Sequence, residues 1–155
     1  MQSKKRWQEL RNAAWQARRN GEFDQAEKYL MEAIREAKLF EGNAQDLQET
    51  LNTLANFYAE QGRIDEAVEI AREIVRMHRH DSTSSPVLLA NDLMFLAHVL
   101  VERGDVAEAI LHAAEGVPLY EQMWGFDHSE TQRMREFLRE LTDKTAFRSP
   151  AVAPR

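Results

Sequence analysis

The side chains that could do catalytic chemistry are scattered along this sequence. Its five histidines include no pair four residues apart around a carboxylate, the spacing with which metalloproteases bind zinc. His78 and His80, followed by Asp81, could form a weak divalent-cation site, but a solvated helix end is the simpler interpretation. We therefore expect no metal ligand among the histidines.

The acidic residues do not favour catalysis either. Asp65, Glu66 and Glu69, like Glu136 and Glu140, fall on helix faces that should meet water. General acid–base catalysis needs a carboxyl group whose pKa is shifted by burial in a pocket, and nothing in the pattern indicates one. The sequence also has no glycine-rich phosphate loop and no serine-nucleophile elbow. We predict a protein that is not an enzyme, with no catalytic residue and no cofactor.

A short pattern beginning with glycine recurs three times and indicates how the chain is organised. Its copies are GEFDQA at 21–26, GRIDEA at 62–67 and GDVAEA at 104–109, at intervals of 41 and 42 residues. Such a period is typical of an α-solenoid, in which paired helices bury their apolar faces against neighbours. Each glycine stands between two stretches of helical periodicity, as expected of a residue that ends a helix.

Apolar stripes at helical spacing precede and follow each glycine. In the middle copy the stripes are Leu47, Leu51, Leu54, Ala55 and Tyr58, then Ile64, Ala67, Val68, Ala71, Ile74 and Val75. The small residues Ala14, Ala55 and Ala97 recur in register, where two helices can approach closely. The pattern predicts an all-α domain over residues 1–146.

The predicted boundaries follow from breaks at Gly42-Asn43, 81–86 and 125–129. They give repeats at about 5–41, 45–80 and 87–124, a capping helix at 129–146 and a disordered tail at 147–155. Within the last repeat Pro118 lacks an N–H and Gly116 weakens the same turn, so we expect a bend or break between Ala114 and Pro118.

These hairpins resemble tetratricopeptide repeats. The interval of 41 to 42 residues, the stretch LNTLANFY at 51–58 before Gly62, and GFDH at 125–128 are similar to the long-repeat subclass found in kinesin light chains. The resemblance covers about residues 5–146 and implies three helical hairpins plus a C-terminal capping helix. It also implies a concave groove lined by the first helix of each hairpin.

In the resembled fold, the groove positions fall on side chains suited to holding an extended peptide. Asn52 and Asn56 lie one turn apart and can pair with the N–H and C=O groups of a peptide backbone. Arginines near both ends can bind carboxylates in bidentate fashion. The expected groove residues are Arg11, Trp15, Arg18, Asn52, Asn56, Asn91, Met94, His98, Arg135 and Arg139. Simple solvation of a wide surface is the alternative interpretation.

Charge and composition limit the partners. The net charge is −6 although residues 1–20 are basic, and an acidic domain disfavours nucleic acid. No apolar run approaches the roughly 20 residues of a membrane span. The chain has no cysteine, so it forms no disulfide, and a cytoplasmic location is the simplest expectation.

The leading hypothesis is a non-enzymatic adaptor that binds a segment of another protein, an acidic one being compatible with the arginines. Two rivals stay open: a structural scaffold that associates with itself through Trp7, Trp124 or Tyr120, and a secretion-type chaperone for a client protein. We expect a monomer or a homodimer, with Trp7 as the exposed anchor at the N-terminal end.

Overall fold

The computed structural model of the protein describes residues 2–39, 44–81 and 85–146, and these residues form seven α-helices without a strand. The helices are α1 (Gln2–Arg19), α2 (Phe23–Leu39), α3 (Ala44–Glu60), α4 (Ile64–His80), α5 (Pro86–Arg103), α6 (Val106–Trp124) and α7 (Ser129–Ala146). Among the described residues, no helix has the length and apolar character required to cross a membrane.

The repeated glycines end the first helix of each pair, as predicted. Gly62 has φ 71°, a left-handed conformation that favours glycine because it has no Cβ. The next N–H, that of Arg63, donates to the Tyr58 carbonyl at 2.9 Å and satisfies a group at the helix end. Gly21 and Gly104 repeat this geometry with φ of 77° and 97°. The recurring motif thus forms three equivalent turns.

The chain divides into two compact units, Met1–Ile70 (unit 1) and Ala71–Arg155 (unit 2), with the boundary inside α4. In unit 1, α1 packs on α2 and α2 packs on α3. Ala14, Ala26 and Ala55 are at most 4% exposed, as expected where helices approach closely. In unit 2, α5 packs on α6 and α6 on α7, around a core that includes the fully buried Leu93, Leu96 and Leu100.

Trp7 lies in the core of unit 1, which corrects its prediction as an exposed anchor. Its side chain is 4% exposed and clusters with Leu10, Ala33 and Ala37. The indole Nε1 donates a 2.8 Å hydrogen bond to Oγ1 of Thr50, a fully buried residue of α3. This bond satisfies the polar atom of the indole, so the ring can be buried without loss. Trp7 therefore joins α1 to α3 instead of facing a partner.

The helix α6 runs without interruption through Pro118, so the predicted break is wrong, whereas the alternative of a bend at this turn stays a prediction. Gly116 is buried against α5, and a Cβ built there would lie 3.3 Å from Met94 Sδ and 3.5 Å from Leu93 Cβ. The proline removes one backbone hydrogen bond, and the neighbouring turn packs closely on α5.

Three sequence predictions fall outside the described residues. They are the break at Gly42-Asn43, residues 82–84 of the break at 81–86, and the disordered tail at 147–155.

Candidate functional site

Two ion pairs connect α1 with α3 in unit 1. Arg11 Nη2 lies 2.8 Å from Glu49 Oε1, and Arg18 Nη2 lies 2.6 Å from Glu60 Oε1. Arg11 and Arg18 are two helical turns apart, so they project from the same face of α1. The sequence predicted that these arginines bind carboxylates of a ligand. In the structure each already binds a carboxylate of the neighbouring helix.

A cavity of about 470 Å³ lies between α1 and α3, lined by both arginines and by Trp15. Trp15 is 53% exposed, and the Arg19 guanidinium stacks on its ring at 4.7 Å from the centroid. Apolar side chains from the core of unit 1 contribute to the lining: Ala14, Ala26, Leu30 and Phe57. A volume of this size is within the range of ligand pockets. We call this space the Trp15 cavity.

The predicted asparagine pair lies on α3 in the same unit. Asn56 is exposed and Asn52 is half-buried. The Nδ2 group of Asn56 donates a 2.8 Å hydrogen bond to the Asn52 carbonyl oxygen of its own helix. A carboxamide carries two N–H donors and one carbonyl acceptor, so one N–H and the oxygen of Asn56 remain for a ligand.

The groove residues predicted on α5 differ from one another in burial and in their hydrogen bonds. Met94 is 3% exposed and packs at Gly116 of α6, so its prediction as a groove contact is wrong. Asn91 is exposed, but its Oδ1 accepts a hydrogen bond of 2.5 Å from the Tyr120 hydroxyl. His98 is exposed, and its Nδ1 lies 2.7 Å from the Met94 carbonyl oxygen. These contacts leave only part of each polar side chain for a ligand.

The ring of His98 stacks on Phe137 of α7, with centroids 4.2 Å apart and planes 6° from parallel. This contact joins the first helix of the last hairpin to α7. His98 therefore has a packing role in unit 2 besides any contact with a ligand.

The arginines of α7 have partners nearby. Arg139 is 69% exposed and binds Glu136 of its own helix at 2.6 Å, a bond that raises its pKa. The Arg135 guanidinium lies 3.6 Å from the centroid of the Phe126 ring, and its Nε lies 3.6 Å from Glu121 Oε1. Because surface ion pairs contribute little, an incoming carboxylate can replace Glu136 at modest cost.

Two further predictions about single residues are corrected by burial. Tyr120 is 5% exposed, so it cannot serve as a contact between copies, whereas Trp124 is 39% exposed. His78 does not lie at a solvated helix end: it is 5% exposed, and its Nδ1 lies 2.5 Å from Oδ2 of the buried Asp92. In the part of the chain that the structure describes, no three His, Asp or Glu residues form a group able to hold a metal ion.

A charged network also joins α2 with the turn before α4. Glu27 accepts hydrogen bonds from Arg63 at 2.6 Å and from the Tyr58 hydroxyl at 2.8 Å. The Arg63 bond lowers the pKa of Glu27. Burial, with the bond to Glu27, raises the pKa of Tyr58 to about 12. These groups lie outside the Trp15 cavity, and we interpret them as structural.

Comparison with known proteins is informative about the family and the fold. Family models described as Tetratricopeptide repeat match residues 10–80 and 93–115, together more than half of the chain. No curated protein sequence matches the chain.

The solved structure of BtubC (BKLC) from P. vanneervenii has a TM-score of 0.75 and 16% identity over 93% of this chain. A putative kinesin light chain of Podosopora anserina with nearly identical TPR-like repeats has a TM-score of 0.73 and 19% identity, covering 91% of this chain and 67% of its own. This chain spans 64% of the length of the BtubC chain. The predicted similarity to kinesin light chain repeats and the predicted all-α solenoid fold are thereby confirmed.

Proposed function

Because this chain belongs to the tetratricopeptide repeat family, we propose that it is a non-enzymatic adaptor that binds an extended segment of another protein. Repeats of this family generally mediate protein–protein interaction and are generally not catalytic. The faces proposed to contact the segment are the exposed faces of α1 and α3 in unit 1 and, separately, those of α5 and α7 in unit 2. The observation that supports this most is the Trp15 cavity, where an exposed aromatic ring adjoins apolar side chains.

Asn56 supplies the contact that does not depend on the sequence of the segment. Its exposed carboxamide retains an N–H and a carbonyl oxygen, which match the C=O and N–H of a peptide backbone. Asn52, one turn earlier, is half-buried and adds a second carboxamide on the same face.

Arg139 and Arg135 supply the contact with acidic residues of the segment. Arg139 is the more exposed of the two, at 69% against 39%. Exchange of its intrahelical partner Glu136 for a ligand carboxylate keeps the charge paired, so the exchange costs little, and the positive charge steers acidic segments towards α7.

The experiment starts from peptides selected against the purified chain by display, whose affinities are then measured by fluorescence anisotropy. We expect Asn56→Ala to weaken binding with a change in the free energy of unfolding within about 0.5 kcal/mol, since an exposed polar truncation removes little packing. Arg139→Glu should weaken binding further and make the remaining affinity less dependent on salt, because a long-range attraction is lost. Arg35→Glu, the same charge change at an exposed position of α2, is the control.

Two results together would refute the proposal. One is a partner complex whose contacts lie on the second helices α2, α4 and α6. The other is unchanged affinity in both Asn56→Ala and Arg139→Glu.

Self-association is a second candidate because an aromatic surface is exposed where α6 meets α7. Met123, Trp124 and Phe126 are 46%, 39% and 57% exposed. These residues are close in sequence, and exposed apolar side chains that form a patch often mark interaction sites. Sedimentation of the parent and of Trp124→Glu tests this candidate: a dimer that the substitution dissociates supports it, and a parent that is monomeric at all concentrations excludes it.

A further inference from the structure

The Trp15 cavity has an apolar lining on one side and paired charges on the other. Leu30 is 3% exposed and Phe57 is 2% exposed, so both belong to the core and present fixed surfaces to the cavity. Trp15 is half exposed, and its free ring surface can be covered by a ligand. Large aromatic side chains in such settings contribute strongly to binding.

The charges that line the cavity are neutralised within unit 1. Arg11 and Arg18 are the two cations of the lining, and each binds a glutamate of α3 at 2.8 Å or 2.6 Å. A carboxylate entering the cavity would have to displace Glu49 or Glu60, which then loses its partner, or enter without a partner of its own. Glu49 and Glu60 are 54% and 47% exposed, so water can solvate either one when it is displaced. The exchange replaces one surface ion pair by another and adds little to affinity, whereas an apolar group gains contact with the Trp15 ring.

Arg19 does not make the cavity favourable for a carboxylate. Its guanidinium stacks on Trp15, but the residue is exposed, so a carboxylate beside it would form a surface ion pair. Such pairs are screened by solvent and contribute little.

We propose that the Trp15 cavity holds one uncharged aromatic or branched aliphatic side chain of the bound segment and discriminates against a carboxylate at that position. This inference rests on the proposed function, since it specifies which part of a bound segment unit 1 recognises. The acidic residues compatible with α7 are a separate feature of the segment.

The test uses the amidated amino acids N-acetyl-phenylalaninamide, N-acetyl-leucinamide and N-acetyl-aspartamide, the last with a free side-chain carboxylate, as probes of the ¹⁵N-labelled full chain. The chain has three tryptophans, so its NMR spectrum contains three indole N–H signals, which single Trp→Phe variants assign. We expect the two apolar probes to shift the Trp15 signal saturably and the aspartate probe not to. The signal of the buried Trp7 should stay in place.

Two variants make the test specific. Trp15→Ala should weaken binding of the phenylalanine probe more than about tenfold, read from the backbone signals of Asn12 and Thr53 at the cavity, because it removes an aromatic contact. The matched control is Trp124→Ala, which removes a partly exposed tryptophan of unit 2 and should leave the affinity unchanged. Glu60→Gln frees Arg18 from its carboxylate and should create binding of the aspartate probe.

The inference is overturned if no apolar probe shifts the Trp15 signal, or if the aspartate probe binds the parent protein as tightly as the phenylalanine probe. Unchanged probe binding in Trp15→Ala also overturns it. A displayed peptide that binds through Asn56 without an apolar residue at the cavity would refute this inference alone. Apolar probes that bind at Trp15, when no partner depends on Asn56 or Arg139, would refute the proposed function alone.

Discussion

Replacement of His78 by alanine should destabilise unit 2 strongly, because it leaves Asp92 buried without its imidazole partner. The two side chains are 3% and 9% exposed, and their nearest atoms are 2.5 Å apart. Removal of one member of a buried pair typically costs 3–5 kcal/mol. We expect an effect at the lower end of this range, about 3 kcal/mol.

Urea denaturation followed by circular dichroism measures this effect. With a denaturant slope of about 2 kcal/mol/M, a loss of about 3 kcal/mol lowers the urea midpoint by about 1.5 M. His80→Ala is the matched control, since His80 lies two residues further along the same helix and is exposed. The control should change the free energy of unfolding by less than about 0.5 kcal/mol.

A double substitution separates the loss of the His78–Asp92 contact from lost packing. Replacement of a buried pair by apolar residues is often neutral or stabilising, so His78→Leu with Asp92→Leu should recover most of the stability lost in His78→Ala. The reasoning is refuted if His78→Ala costs no more than His80→Ala, or if the double variant is destabilised by the sum of the two single leucine substitutions.

Three further predictions concern pH and packing. The bond to Arg63 lowers the pKa of Glu27 from 4.5. The stability that Glu27 contributes is therefore present above pH 4.5 and is lost as the pH falls through its folded pKa. The urea midpoints at about pH 6 and about pH 3 should accordingly differ less in Glu27→Gln than in the parent. The pKa of Tyr58 is raised to about 12, so its contribution to folding stability is complete below pH 10 and is lost as the pH rises towards 12. The difference between absorbance titrations of the parent and of Tyr58→Phe should show a phenol that ionises near 12. A phenol that ionises near 10 would contradict the burial argument. A Cβ at Gly116 would lie 3.3 Å from the flexible Met94 side chain. Thermal unfolding should therefore show Gly116→Ala within about 1 kcal/mol of the parent, whereas Gly116→Leu should lower the free energy of unfolding by about 1–3 kcal/mol. Equal stability of the two variants would contradict the close packing.

The hairpin architecture could be predicted from the sequence because it depends on local features that repeat. Gly21, Gly62 and Gly104 each adopt the left-handed conformation that the motif predicted. Ala14 and Ala55 are buried as expected of close helix crossings. Helix ends and apolar stripes are set by residues within a few positions of one another, so a periodic pattern is sufficient to place them.

The incorrect predictions concern residues whose burial depends on distant partners. Trp7 is buried because Thr50, 43 positions away, accepts its indole N–H, and Tyr120 donates to Asn91, 29 positions away. Met94 fills space that Gly116 leaves open on the facing helix. Helical spacing identifies the face of a residue on its own helix, but it does not identify the opposite side chain.

The candidate site was predictable in part. Arg11, Trp15 and Arg18, which the resemblance assigned to a groove, line the Trp15 cavity, and their contact with a peptide stays a prediction. Leu30 and Phe57 were not expected there: both are core residues, 3% and 2% exposed, that border the cavity from below its surface. Of the missed residues, Asn12 had a signal, because it lies three positions before Trp15 and therefore on the same side of α1.

The ion pairs of the second helices constrain how the repeats can be recombined in evolution. Glu27 with Arg63, Arg72 with Glu108, and Arg79 with Glu115 are each 36 positions apart, and the middle hairpin supplies every arginine. Asp105 follows its turn glycine as Arg63 follows Gly62, so deletion of the middle hairpin would set Glu27 opposite another acid. Loss of one repeat therefore brings like charges together, and the order of the hairpins is encoded in their charges as well as in their length.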